Sequence, residues 1–273
     1  MNKTRFSQTI SPAIVGVVRE RTIDAAIEKI KVYEKKQATV IDLHLSCLDD
    51  EYKNEKQIKK AVEVSELPIL ALNYNQRYDR SEYETTEEER VRLLMCAVRA
   101  GVSAIDMQGY TFDFASKRQF NGENKFSFTD NNPFEIITDK SIIEKQKNLI
   151  KEVHSYGKEV VLSTHPYIPM NCRQVIDLVY FLAERDPDVI KIVTRCLDKE
   201  QLLEAFKTMD ELNKLNLRQK ISFHCCDELG KITRLVNPLL GSFMCFCSAD
   251  KDESRNKEQL DIDFTVNFFN EVQ

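Results

Sequence analysis

Lys191 lies in the run 189–193, Val-Ile-Lys-Ile-Val, with aliphatic residues on both sides. Successive side chains of an extended segment alternate between faces, so this lysine enters an apolar layer whichever face it takes. Desolvation disfavours an ammonium and favours the free amine, a nucleophile that attacks ketones to form Schiff bases. The plainer use of the same residue is an ion pair with a carboxylate at the rim of the sheet, which predicts no reaction with ketones. His165 closes a second apolar run, EVVLSTH at 159–165. An imidazole exchanges protons near neutral pH, so beside a lysine-bound carbonyl it can move the proton on the adjacent carbon. A satisfied core histidine is the alternative. The lysine on the neighbouring apolar run favours catalysis. His154 and His44 carry less of this pattern.

These residues need elements to position them, and the chain alternates short apolar runs with longer amphipathic segments eight times. The runs 13–19, 38–48, 68–75, 103–109, 159–165, 189–196, 220–226 and 242–249 read as strands. The segments 22–36, 55–66, 85–100, 140–156, 172–184, 199–215, 230–240 and 259–272 read as helices. Strands apolar on both faces, each followed by a helix, predict a parallel sheet covered by helices. Eight such units are the number that closes a barrel, whereas an open doubly wound sheet usually carries a Gly-rich loop after its first strand. The first strand here runs into Arg-Glu-Arg-Thr. The expectation is therefore an α/β protein, a single eightfold β/α (TIM) barrel spanning 1–273, with an aromatic-rich insertion after strand four. In that fold the C-terminal strand ends face the mouth. Besides Lys191 and His165, this places Asp42, His44, Asn73, Tyr74, Asp106, Gln108 and His224 there.

The insertion, 110–138, holds seven aromatics: Tyr110, Phe112, Phe114, Phe120, Phe126, Phe128 and Phe134. A connection longer than about 12–15 residues is usually functional or disordered. So many aromatics favour either an active-site lid or a hairpin packed on the rim. Lys117 and Arg118 on it are candidates to supply positive charge to the mouth.

Composition narrows the function classes. A formal net charge of −5, with basic and acidic residues interspersed, is the wrong electrostatic footprint for nucleic acid. No uncharged apolar stretch approaches the roughly 20 residues of a membrane span, and the N-terminal stretch lacks a signal-like apolar region. A cytoplasmic location without membrane or nucleic-acid partners is expected, and a homodimer is compatible with it. The eight cysteines fall mostly in apolar runs with no C-x-x-C pair, as reduced buried thiols do. His224-Cys225-Cys226 and Cys245-x-Cys247 offer soft metal ligands, but neighbours along a strand face opposite sides, so the expectation is no metal and no cofactor.

Four stretches resemble the type I 3-dehydroquinate dehydratases: VVLSTHPY around His165, DVIKIVTRC around Lys191, LGKITRLVNPLLGS with Arg234 and Ser242, and EQLDI with Gln259. The resemblance implies a Schiff-base lyase, a β/α-barrel hydro-lyase that converts 3-dehydroquinate to 3-dehydroshikimate in aromatic amino-acid biosynthesis by the shikimate pathway. It implies that Lys191 forms the imine, His165 is the general acid and base, and Arg234 grips the carboxylate of a small polar keto acid. Gln259 and Ser242 join the substrate contacts.

The same comparison exposes departures. The family's Glu-x-Arg on strand two is Asp42-Leu43-His44 here, and its strand-three arginine is replaced by Tyr74, with Arg77 and Arg80 a few residues beyond. Its strand-four Asp-x-Glu, whose glutamate orients the histidine, is Asp106-Met107-Gln108; its Met-Gly after strand seven is Cys226-Asp227; its late Pro-Gly is Lys257-Glu258. A glutamine carbonyl can hold an imidazole but cannot stabilise an imidazolium as a carboxylate does, which predicts slow turnover of dehydroquinate. The altered substrate contacts leave two further readings: a Schiff-base lyase or aldolase on another keto compound, and a ligand-binding barrel without turnover.

Overall fold

The computed structural model describes residues 4–74, 85–113, 135–166, 168–249 and 259–272. Its elements, in chain order, are β1 (Ala13–Val18), α1 (Ile23–Lys35), β2 (Val40–His44), α2 (Glu55–Glu63), β3 (Ile69–Leu72), α3 (Glu87–Ala100), β4 (Ala104–Gln108), α4 (Lys140–Ser155), β5 (Glu159–Thr164), α5 (Cys172–Ala183), β6 (Val189–Arg195), α6 (Lys199–Asn213), β7 (Lys220–Cys226), α7 (Thr233–Leu239), β8 (Met244–Ser248), β9 (Leu260–Asp261) and α8 (Ile262–Val272). The protein is an α/β fold whose strands form one parallel sheet in the order β7-β6-β5-β4-β3-β2-β1-β8-β9. No described helix is long and apolar enough to cross a membrane. Of the expected aromatic insertion, 114–134 lies outside the described residues, as do Arg77, Arg80, Lys117, Arg118, Lys257 and Glu258.

The chain divides into two compact units. The first comprises Met1–Asp106, Val153–Glu159 and Cys245–Gln273. Within it, β1, β2 and β3 are buried along their whole length, as expected for strands apolar on both faces. Helix α1 starts where Thr22 accepts the Ala25 N–H and buries Ile23, Ala26, Ile30 and Tyr33, one face at helical spacing. The Tyr33 ring lies so close to β1 that a Cβ added at Gly16 would stand 2.4 Å from it. Only glycine permits that approach. The Tyr33 hydroxyl donates to the Val17 carbonyl and accepts from the Ala249 N–H.

The second unit comprises Met107–Glu152 and Val160–Met244. Its centre is β5-β6-β7, paired in parallel register with Lys191 opposite both Ser163 and Ser222. Asn171 and Gln174 form a reciprocal capping box on α5, and Asp198 caps α6 by accepting the Gln201 N–H. Each such cap stabilises its helix by about 1 kcal/mol.

Two expected helices begin three residues later than their amphipathic patterns. The segment 259–272 opens with the two-residue β9, and α8 begins only at Ile262, where the Asp261 carboxylate accepts the Phe264 N–H. The segment 230–240 begins as a 3₁₀ turn at Gly230–Ile232 before α7.

Candidate active site

Residues in register on neighbouring strands share a face, and so do residues two apart on one strand. Ser163, Lys191 and Ser222 therefore form one row across β5, β6 and β7. Val193 and His224 are paired one row further toward the C-terminal strand ends, and His165 directly follows the last residue of β5. Ile190 and Ile192, buried, face the other side, as do Thr194 and Cys225, whose Oγ1 and Sγ lie 3.3 Å apart. Burial pushes the Cys225 thiol up to about 12, so it stays protonated and unreactive.

Lys191 is 5 % exposed, His224 4 % and Arg234, from α7, 7 %. The His224 ring is held well below the usual imidazole range, first by burial and then by the positive charges of Arg234, Lys191 and His165. Those four side chains are thus electrostatically coupled. The result is a buried patch where up to three positive charges surround a neutral imidazole, an environment suited to an anionic molecule. The Ser222 hydroxyl, in register with Lys191, is buried with no hydrogen-bond partner among the described residues. Such an orphan costs about 1–3 kcal/mol unless something binds there.

His165 is fixed by a residue that the sequence reading did not single out. Oε2 of Glu135 lies 2.7 Å from His165 Nδ1 and 3.0 Å from the His165 backbone N. An ionised carboxylate only accepts, so Nδ1 carries a proton and Nε2 is left facing away from Glu135. The Glu135 side chain is 1 % exposed and its φ is 61°, a left-handed conformation that costs a non-glycine residue on the order of 1–3 kcal/mol. A sequence signal for it existed: Glu135 stands in the apolar run Phe134-Glu-Ile136-Ile137, as Lys191 stands in its own.

At the C-terminal ends of β6 and β7, Arg195 binds Asp227 through two nitrogens at 3.1 and 2.9 Å. Those bonds, with the Cys196 N–H, hold the Asp227 carboxyl below the usual carboxylate range.

A sequence profile of the type I 3-dehydroquinase family matches residues 14–267. The chain belongs to the type I 3-dehydroquinase family. It is similar to the 3-dehydroquinate dehydratase of Methanosarcina acetivorans, 22% identical over 92% of this chain and 90% of that protein. Among solved structures, the type I 3-dehydroquinate dehydratase of Clostridium difficile superposes with a TM-score of 0.74 at 14% identity, covering 96% of this chain and 92% of that one. The 3-dehydroquinate dehydratase of Enterococcus faecalis gives 0.72 at 15% identity, covering 98% and 97%. At such low identity these superpositions establish a shared fold.

Against the type I 3-dehydroquinase pattern, several departures acquire a structural reason. The family glycine replaced by Asp227 occupies a left-handed backbone, φ 71°, and the Arg195 ion pair offsets part of its strain. Gln108 ends β4, fully buried, and the carboxylate on His165 comes instead from Glu135. The reason given above for slow turnover, an imidazole without a carboxylate partner, therefore falls away. Ser242 precedes β8, at the end opposite the C-terminal strand ends, and its buried hydroxyl accepts the Phe223 N–H. It fastens β7 there.

Asp42, His44 and Tyr74 belong to the first unit and form a cluster of their own. His44 Nε2 lies 3.0 Å from Asp42 Oδ2, and the Tyr74 ring meets the His44 ring edge-on at 5.9 Å. Gln259, also in the first unit, precedes β9, and its buried Oε1 has no hydrogen-bond partner among the described residues.

Proposed function

We propose that this chain dehydrates 3-dehydroquinate to 3-dehydroshikimate through a Schiff base on Lys191, a step of the shikimate pathway. The observation that carries the reading is that Lys191 and His165 both act on the buried His224 ring from neighbouring strands, while His165 Nδ1 is held by a carboxylate. Lys191 Nζ, once it has given up its proton, adds to the ketone carbon and water leaves, giving an imine that protonates to an iminium. His165 Nε2 then takes a proton from the neighbouring carbon, and the electron pair moves into the iminium nitrogen to give an enamine. The enamine expels the β-hydroxyl, which leaves as water with the proton from the imidazolium. Hydrolysis of the new imine returns the amine and releases the product. Arg234 pairs with the substrate carboxylate, and neutral His224 hydrogen-bonds to the substrate. The Clostridium difficile relative was crystallised with a covalently modified comenic acid, which fits a family that takes acidic ligands.

The likeness in fold supports reading 1–273 as one eightfold β/α barrel; its insertion after β4, a cytoplasmic location and the lack of metal or cofactor rest on the sequence alone. Asp42, His44, Tyr74, Gln108 and Gln259 are assigned to substrate recognition on the resemblance alone. The bond between His44 and Asp42, where the family has an arginine, favours a second reading: the same imine chemistry on a different polar keto acid.

Borohydride reduction tests both. With 3-dehydroquinate present, intact mass should rise by the reduced ligand, the adduct should map to the Lys191 peptide, and Lys191→Ala should abolish it while leaving thermal unfolding in place. An adduct only with another keto acid selects the second reading, and no adduct with any ketone sinks the imine mechanism.

A further inference from the structure

The geometry points to Glu135 as the positioning residue for His165, delivered by the segment that follows β4 rather than by a strand; the inference rests on His165 being the acid and base proposed above. Glu135 is located by its backbone as well as by its carboxylate. Its carbonyl oxygen accepts from Thr164 Oγ1 at 3.2 Å, one residue before His165. It also packs on Gly109, where an added Cβ would stand 1.9 Å from that oxygen, so the residue after β4 must be glycine for Glu135 to reach this position. Gly109 in turn donates its N–H to the Ser163 carbonyl of β5.

Both stems of the segment are pinned by one buried pair. Gln146 of α4 donates through Nε2 to the Gly109 and Thr111 carbonyls, each at 3.0 Å. Its Oε1 accepts from Arg185 Nε at 2.8 Å, and Arg185 Nη2 donates to the Ile137 carbonyl, two residues beyond Glu135, at 3.0 Å. The left-handed conformation at Glu135 is held in place by these contacts. Nothing in that arrangement needs the carboxylate. Its two bonds to His165 are an addition to a backbone already fixed, and this separates orientation of the imidazole from folding.

The test uses the full chain with ¹⁵N-labelled histidine. In the native protein the imidazole nitrogen shifts of His165 should report the Nδ1–H form. Glu135→Gln, nearly isosteric, should redistribute the tautomer and lower kcat on 3-dehydroquinate about a hundredfold or more, within the range of general acid–base contributions. KM should change only a few-fold, because Glu135 touches the imidazole and not the substrate. Glu135→Asp should recover part of kcat. Glu135→Gly relaxes the left-handed backbone while removing the carboxylate, so it should stay folded and lose the tautomer as Glu135→Gln does. An unchanged tautomer and kcat in Glu135→Gln, or a fall in thermal stability with the tautomer intact, overturns the assignment. If the native enzyme forms no borohydride adduct, the Schiff-base reading fails by itself, and the tautomer still decides whether Glu135 sets the imidazole.

Discussion

His224 carries a pH signature of its own. Burial and the charges of Arg234, Lys191 and His165 keep it neutral in the folded chain, while the unfolded chain takes up a proton below an ordinary value near 6.5. Because the folded value is the lower one, the stability tied to neutral His224 is complete above about 6.5. It is lost as pH falls toward the folded value, at up to about 1.36 kcal/mol per pH unit. Denaturant midpoints should therefore drop more between pH 7 and pH 5 for the native chain than for His224→Met. Parallel drops would mean that His224 is charged in the folded protein. At this scale the sequence was informative for a physical reason. A charged side chain inside an apolar run is costly unless it is used, and that criterion finds Lys191 between Ile190 and Ile192. Applied to Phe134-Glu135-Ile136 it finds Glu135 as well. It lies outside the strand ends, in an irregular connection with no periodicity to say which way a side chain turns.

Between the elements, Arg185 is the joint that a mutation can open. It is 2 % exposed, burial pulls its guanidinium down to about 10, and it donates to Gln146 Oε1, the Phe181 carbonyl and the Ile137 carbonyl while lying 4.5 Å from the Phe181 ring centroid. A value near 10 still leaves it charged at neutral pH. Arg185→Met keeps the apolar stem but strands three acceptors, each worth on the order of 1–3 kcal/mol when left buried without a donor. A clear loss in urea midpoint is expected, together with a fall in kcat larger than Glu135→Asp gives, since the Ile137 stem is released. Full activity with lowered stability would show that α4 and α5 need Arg185 but Glu135 does not. The strands of this framework were legible because buried parallel strands are continuous apolar runs, and β7 spans 220–226 as read. Element ends were less so. A polar–apolar pattern at 259–272 suits a helix throughout, and only the capping bond from Asp261 to Phe264 fixes where α8 starts. Ser242 shows the converse: a motif match carries no information about which end of a strand a residue occupies.

For the whole molecule, ligand binding should be readable as stability, because anything that binds only the folded chain raises its unfolding free energy by RT ln(1 + [L]/Kd). At a hundredfold excess over Kd this is about 2.7 kcal/mol, which for a chain of this size is a rise of about 5–10 °C in melting temperature. 3-Dehydroquinate should give that rise, and quinate-like analogues without the ketone a smaller one, because in the proposed mechanism Arg234 meets their carboxylate but Lys191 has no carbonyl to attack. After borohydride reduction the ligand cannot leave, so the shift should persist through dialysis in the native chain and vanish in Lys191→Ala. Glu135→Gln should keep the covalent shift, since the proposal gives imine formation to Lys191 and proton transfer to His165. A chain stabilised equally by ketone and non-ketone acids, with no shift surviving dialysis, would be a carboxylate-binding protein that kept the type I 3-dehydroquinase fold and lost its chemistry. The four charged and imidazole groups coupled around Lys191 argue against that outcome. Gathering Lys191, Arg234 and His165 around a buried, neutral His224 is costly for a protein that only binds, whereas an imine-forming site needs the amine, the proton carrier and the carboxylate partner together.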